Sequence, residues 1–456
     1  MKRNEAVEIV RLPEDQSVPI VLELAEKAEK YDKMMAGTEP GTPSGMRPPW
    51  QKPPGKPRKK KPGQKPGHPG VCRPKPEKID HYKEHTLCDC PECGTKLGGS
   101  IASRQRYTED IPPVEPEVTE HTVNGYWCPE CRKIVYAKVA DALPNATLGL
   151  RLVVFSAWLH YYVGTSVNNI VRILGVFAGF KVSPGGLTQA WKRLALTLEP
   201  WYDSIGGAIR NSAVLNADET GWRVNGKTHW LWCFASKILC FYVIDKSRGS
   251  PVVKMVFGEI FRGILICDFW GAYNKLAALG KQRCFYHLFT ELANTDKRNE
   301  SAEWAAFRKK LARLPKDAVR LSERKDRIPT EEYESKKSRL HTRLGFLTET
   351  ESEDKDVRRL IKRLNRHRNE LFTFLDHEGV SPYNNHGEQQ MRKPAINRKI
   401  SQQNRTDAGA KTQAILMTLF KSADLQKLNP HETVLEMAKK TIDPSTSVEN
   451  RMMIDN

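Results

Sequence analysis

Three acids and two cysteine pairs are the residues of this 456-residue chain whose types and spacing could do chemistry. Asp218 closes an apolar run, AVLNAD, and Asp268 closes another, GILICD. Side chains at strand ends of an α/β sheet lie where such sheets bind ligands. If the two strands are neighbours, both carboxylates meet at one edge. Hard oxygen ligands suit Mg2+, which takes one or two protein carboxylates and keeps several waters. Two such ions ~3.5–4 Å apart serve the attacking and leaving oxygens of a phosphodiester that is cut or joined. That chemistry needs a third acid. Glu388 lies in NNHGEQQMRKPAINRKISQQN, a polar stretch crowded with phosphate-compatible side chains. The bland alternative is that acids at strand ends cap the next helix. Glu219, next to Asp218, points elsewhere or competes for the role.

The cysteine pairs are Cys90/Cys93 in CPECG and Cys128/Cys131 in CPECR. Two intervening residues bring both sulfurs of a pair to one ion, and four thiolates suit tetrahedral Zn2+. The separation of the pairs fits a zinc ribbon with a hairpin insertion, and such a closed site is structural. Cys88 is a substitute ligand. Cys233, Cys240, Cys267 and Cys284 lie in apolar stretches and read as buried thiols rather than disulfides.

These groups must be carried by several units, because the chain is too long for one ordinary domain. Residues 1–36 hold a short helical pattern. Residues 37–78 are rich in Pro, Gly, Lys and Arg and form a disordered basic arm, with Lys59, Lys60 and Lys61 as phosphate contacts. The cysteine module spans 79–141. Residues 142–205 are helical, with a turn near Gly179 and a helix capped by Ser183 and opened by Pro184, an arrangement compatible with helix-turn-helix DNA reading. From 206 to 289 the pattern turns β-rich. Three strands are expected, then a helix over PVVKMVFGEIF, the GILICDFW strand, a helix over AYNKLAALG and a fifth strand over QRCFYHL, together a mixed α/β sheet. Residues 290–377 are helical and charged, 378–430 return to the core with Glu388, and 431–456 form a tail.

The net charge of +19 attracts polyanions, nucleic acid first. An apolar fraction of 39% supports a core. No run of ~18 uncharged apolar residues is present to span a membrane. The N-terminal residues show no secretory pattern, so the expected compartment is the cytoplasm.

The sequence resembles the family-66 insertion-sequence transposases in five ordered blocks. These are KKKPGQKPGHPG with CPECG…CPECR, LNADETGWRVNGKTHWLW, ILICDFWGAYNKL, CFYH and YNNHGEQQMRKPAINRKISQQN. The resemblance implies an RNase H-like core with a helical insertion before the helix bearing the last acid. It carries the acid triad onto Asp218, Asp268 and Glu388, holding Mg2+ or Mn2+. It carries an Arg-Lys pair onto Arg398 and Lys399 as phosphate contacts, with Arg392 and Lys393 serving similarly. The Cys284-x-x-His287 pair also matches, with a role the motif leaves open. Gln389, where the family commonly has Arg, and Leu288, Phe289 and Thr290, where basic residues are common, depart from the pattern. The implied activity is binding of double-stranded DNA at terminal inverted repeats, hydrolysis at the element end and attack of the freed 3′-hydroxyl on target DNA. A homo-oligomer and companion proteins are implied as partners. The rival readings are a DNA-binding regulator or relic without chemistry, a nuclease of this fold that cuts but does not join, and a structural zinc protein that binds RNA.

Overall fold

In the computed structural model, residues 74–401, 403–446 and 452–454 are described, together with positions 18 and 22. The basic arm with Lys59, Lys60 and Lys61 lies outside them, as does most of the N-terminal helical pattern. The chain divides into two compact units, Met1–Glu115 and Pro116–Asn456. The division falls inside the 79–141 cysteine module, so each pair of cysteines belongs to a different unit.

The second unit begins with a hairpin, β1 (Gly125–Cys128) with β2 (Lys133–Tyr136). Its main sheet has the strands β3 (Val214–Val224), β4 (Lys227–Ala235), β5 (Cys240–Asp245), β6 (Ile260–Cys267) and β7 (Ala277–Arg283). They form a mixed five-stranded sheet in the order β5-β4-β3-β6-β7. The first three run antiparallel to one another, and β6 and β7 run parallel to β3. Asn225 and Gly226, both at positive φ, make the two-residue turn between β3 and β4.

Alternation along β6 divides two cores. Phe261, Leu265 and Cys267 face a layer that contains α1 (Leu150–Ala157), α2 (Val167–Ala178), α3 (Pro184–Asn211), α10 (Asp407–Leu425) and α11 (Pro430–Ile442). Ile264 and Ile266 face a second cluster, formed by α5 (Phe285–Thr295), α6 (Ala302–Ser322), α7 (Thr330–Thr348) and α8 (Lys355–Arg366). Side chains of successive strand residues point to opposite faces, so one strand serves both layers. The ends of the helical segment lie together, because the Phe285 N–H donates to the Pro382 carbonyl at 2.9 Å. Closing a long loop whose ends already meet costs little more than closing a short one.

The α2–α3 pair has the expected turn. Gly179 ends α2 at φ 62°, and the Ser183 hydroxyl accepts from the Gly186 N–H at 3.0 Å with Pro184 at the first helical position. Leu187, Trp191, Leu194 and Leu198 of α3 join the same hydrophobic cluster as the sheet. The second helix of the pair is thus packed into the core, whereas α2 buries only Ile170 and Leu174.

Two expected elements differ. AYNKLAALG is not a helix: Gly271–Lys275 form a 3-10 turn, and Ala277 begins β7. QRCFYHL is not one strand: β7 ends at Arg283, and Phe285 begins α5. Alanine-rich local propensity is a weak preference, and pairing along β6 overrides it. Aromatic β propensity in CFYHL yields likewise to the helical stripe Phe285, Leu288 and Leu292, which the second core buries. A smaller difference is that α4 (Ser250–Phe257) stops at Gly258, so Ile260 and Phe261 open β6.

The edge strand β5 is covered by α10 rather than left as a template for other chains. The Cys240 N–H donates to Ser422 Oγ at 3.1 Å and the Tyr242 N–H to Thr418 Oγ1 at 3.0 Å. Thr418→Val keeps the shape and strands the Tyr242 N–H. The expected loss is ~1–3 kcal/mol, read as a lower urea midpoint at unchanged slope.

Candidate active site

β3 and β6 pair in parallel at Val214/Ile264, Leu215/Leu265 and Asn216/Ile266. Two residues further along, that register sets Asp218 opposite Asp268, and the charge of Asp268 reaches Asp218. Both acids were expected at strand ends. Asp268 does follow the last residue of β6, whereas β3 runs on past Asp218 to Val224, paired there with β4. An Asp218 oxygen accepts from the Glu219 N–H at 3.0 Å, and an Asp268 oxygen accepts from the Trp270 N–H at 2.8 Å.

Glu388 sits in the first turn of α9 (Asn385–Ser401). That turn is clamped to the sheet by Asn384, which is fully buried. Its Nδ2 donates to the Ala217 carbonyl at 2.8 Å, its Oδ1 accepts from Asn216 Nδ2 at 2.9 Å, and its N–H donates to Cys284 Sγ at 3.2 Å. His386 Nε2 meets the Ser236 carbonyl at 2.7 Å. The approach requires glycine at 387: an added Cβ would lie 2.8 Å from Asn384 Oδ1 and 3.3 Å from Asn216 Cβ.

His287 stands among the acids. Its Nδ1 is 3.8 Å from Glu388 Oε1. Burial acts to lower its pKa, but the hydrogen bond and charge of Cys284, with the charges of Asp268 and Glu388, raise it to about 9. Burial, followed by the charges of Glu219 and Asp268, pushes Asp218 up to about 8. A desolvated carboxylate such as that of Asp218, held protonated by burial, gains from a nearby cation. Buried Glu388 Oε1 and His287 Nδ1 have no hydrogen-bond partner. Hard oxygen donors, with buried atoms that make no hydrogen bond, fit divalent metal ions. The three acids do not crowd within 4.8 Å of one another as a set; among the described residues such a group is formed by Cys284, His287 and Glu388.

Glu219 is a support. It alternates with Asp218 along the strand, yet its charge still reaches that acid. Arg248 Nε and Nη2 both donate to its Oε1 at 3.2 Å, and the Tyr273 hydroxyl donates to its Oε2 at 2.6 Å. Burial first, then Asp268, raises it to about 7 despite these partners. The Arg248 guanidinium is itself held between the rings of Trp230 and Trp270.

Sequence reasoning missed Arg283. This fully buried side chain donates to the Asp268 carbonyl at 2.7 Å, to Asn274 Oδ1 at 2.9 Å and to Glu370 Oε2 at 2.6 Å. It ties the strand end that carries Asp268 to the segment that follows α8. Burial would raise Glu370, but His367 and Arg283 hold it at about 2. Nothing in the order of residues joins 283 to 370; only the fold does.

The expected basic contacts on α9 divide. Arg392 and Lys399 are exposed. Lys393 is exposed with its ammonium 3.5 Å from the centre of the Tyr162 ring. Arg398 is buried and donates to Thr220 Oγ1 and the Gly221 carbonyl, so its guanidinium holds β3 where a phosphate contact was expected. The interior of a helix packed on a strand has no solvent for it.

Each cysteine pair forms a knuckle in its own unit. In the first, the Gly94 N–H donates to the Cys90 carbonyl at 2.8 Å and the Cys93 thiol meets Thr95 Oγ1 at 3.4 Å. In the second, the turn from β1 to β2 aims the Cys131 N–H at Cys128 Sγ, 3.4 Å away. Thr95 lowers the Cys93 pKa and the Cys131 N–H lowers that of Cys128, favouring the thiolates a metal needs. Cys233, Cys240, Cys267 and Cys284 are buried free thiols.

A family model described as "Transposase IS66 family" matches residues 146–412, more than half of the chain and all three acids. The chain belongs to the IS66 transposase family. A second model, described as "zinc-finger binding domain of transposase IS66", matches residues 88–132 and spans both cysteine pairs. A curated relative, "Uncharacterized protein y4jD" of Sinorhizobium fredii (strain NBRC 101917 / NGR234), is 24% identical over 310 residues. That stretch is 61% of this chain and 60% of the relative, so the chain spans about three fifths of the relative's length. Among the described residues of this IS66 family member, no helix is long and apolar enough to cross a membrane.

Proposed function

We propose that the chain binds the terminal inverted repeats of an insertion sequence, cuts at the element ends and joins them to target DNA. The observation that carries the reading is Asp218 beside Asp268 where the parallel β3–β6 pairing runs out, with the Glu388 turn clamped next to them by Asn384. Divalent ions, Mg2+ or Mn2+, would be held by these three carboxylates and would supply Lewis-acid stabilisation of a transferring phosphoryl group. The chain itself does the positioning. Arg283 fixes the Asp268 strand end, Asn384 fixes α9 on β3, and burial of Asp218 keeps its carboxylate poorly hydrated and ready for a cation.

The strand order, with three antiparallel strands followed by two parallel ones, supports an RNase H-like core, and α5–α8 form its insertion. Cys90, Cys93, Cys128 and Cys131 are the proposed ligands of structural Zn2+, because thiolates paired two residues apart suit its tetrahedral coordination. Phosphate contacts are expected from the basic arm with Lys59, Lys60 and Lys61 and from Arg392, Lys393 and Lys399. Two ends joined in one event call for a homo-oligomer. Companion transposition proteins belong to the same proposal.

The test uses the full chain, a duplex carrying the element's termini, and Mg2+. Joined product supports the reading. Cleavage without joining would make the chain a nuclease, and binding without cleavage a regulator or relic. For the zinc module, Cys90→Ser is expected to remove about one equivalent of zinc and to weaken end binding. Unchanged zinc content would rule out the four-thiolate site.

A further inference from the structure

Cys284 and His287 are left without a role by the three acids, yet they face one of them. Cys284 caps α5 and His287 lies in its first turn, so the C-x-x-H spacing turns both toward the same side. One donor atom each from Cys284, His287 and Glu388 lies within 4.8 Å of the others. Cys284 is fully buried, and its Sγ accepts the Asn384 N–H at 3.2 Å, the kind of bond that stabilises a metal thiolate. His287 Nδ1 and Glu388 Oε1 are buried, face each other at 3.8 Å and make no hydrogen bond. Zn2+ takes four ligands, so one more would complete these three donors.

We propose that Cys284, His287 and Glu388 form a second, softer metal site, selective for Zn2+ or a similar thiophilic ion over Mg2+. A thiolate and an imidazole favour Zn2+, whereas Mg2+ takes oxygens. The consequence rests on the proposed catalytic reading. Glu388 belongs to both donor sets, so zinc in this site draws it from the Asp218–Asp268 pair and slows the Mg2+-dependent reaction. The site is a zinc-sensitive brake on the acid cluster.

The experiment has two arms. In the first, the full chain is titrated with Co2+, and bound equivalents and thiolate-to-cobalt absorption are followed. One equivalent is expected to persist in a Cys90→Ser/Cys93→Ser variant and to be lost in Cys284→Ser and in His287→Ala. If neither substitution alters the equivalents or the spectrum while circular dichroism shows both variants folded, the site does not exist. This arm needs no DNA, so it decides the site whether or not the chain cuts. In the second arm, zinc is added to the Mg2+ cleavage assay. Wild type is expected to slow by ~10-fold or more, and Cys284→Ser, relative to its own zinc-free rate, by much less. Equal inhibition of both would overturn the brake, whereas absence of cleavage at any zinc concentration would overturn the transposase reading and leave the metal site standing.

Discussion

Asp218→Asn is expected to lower Mg2+-dependent cleavage of end DNA by ~1,000-fold or more while end binding is retained. The amide keeps the size of the acid but offers one weak oxygen donor in place of a charged carboxylate. Lewis-acid stabilisation of a phosphoryl group amounts to several kcal/mol, and each ~1.4 kcal/mol is tenfold in rate. Asp268→Asn and Glu388→Gln should behave alike, because all three acids would hold the same ions. Glu219→Gln is the informative contrast. Its carboxylate is bonded to Arg248 and Tyr273, so its replacement should lower stability more than it lowers the rate constant at saturating metal. A set of three amide variants that lost DNA binding along with cleavage would mean that the acids hold the fold rather than the ions.

The metal-free protein is expected to melt at a lower temperature at pH 8 than at pH 6, and Mg2+ should recover most of the difference. Burial pushes Asp218 up to about 8 and Glu219 up to about 7 in the folded chain, against ~3.9 and ~4.3 when unfolded. Between those limits the native state holds protons that the unfolded chain has released. Stability from these two groups is therefore fully present below pH ~4 and is lost as pH rises toward 8. The combined effect is on the order of a few kcal/mol, because two neighbouring acids share one environment. Asp218→Asn removes one of the two groups, so it should flatten the pH dependence and raise the metal-free melting temperature at pH 8. A divalent ion binds the deprotonated acids and should stabilise most where the penalty is largest. Melting temperatures independent of pH from 6 to 8 in the absence of metal would show that the acids are not desolvated together.

Some features were legible in the order of residues because they are local. A C-x-x-C knuckle is made by four consecutive residues, the Ser183–Pro184 cap by neighbours in the chain, and an acid at the close of an apolar run by the run itself. Resemblance in five ordered blocks linked Asp218, Asp268 and Glu388 across a long gap. The sheet's first three strands and α4 were readable from their periodicity. The region from 271 to 292 was not, because Ala277–Arg283 owes its extended form to pairing with β6, and Phe285–Leu292 its helical form to the second core.

The sequence by itself determined which groups could do chemistry: three acids, two cysteine knuckles and a large basic surplus, all set by residue type and short spacing. Only the tertiary structure decided which groups touch. It set Asp218 beside Asp268 through β3–β6 pairing, turned Arg398 inward onto β3, enlisted Arg283 and Asn384 as clamps, and brought Cys284 and His287 up to Glu388. The physical reason is that each of these contacts joins residues distant in the chain. Their energy depends on burial and on the direction of a partner's donor or acceptor, and neither exists until the sheet and its two cores have formed.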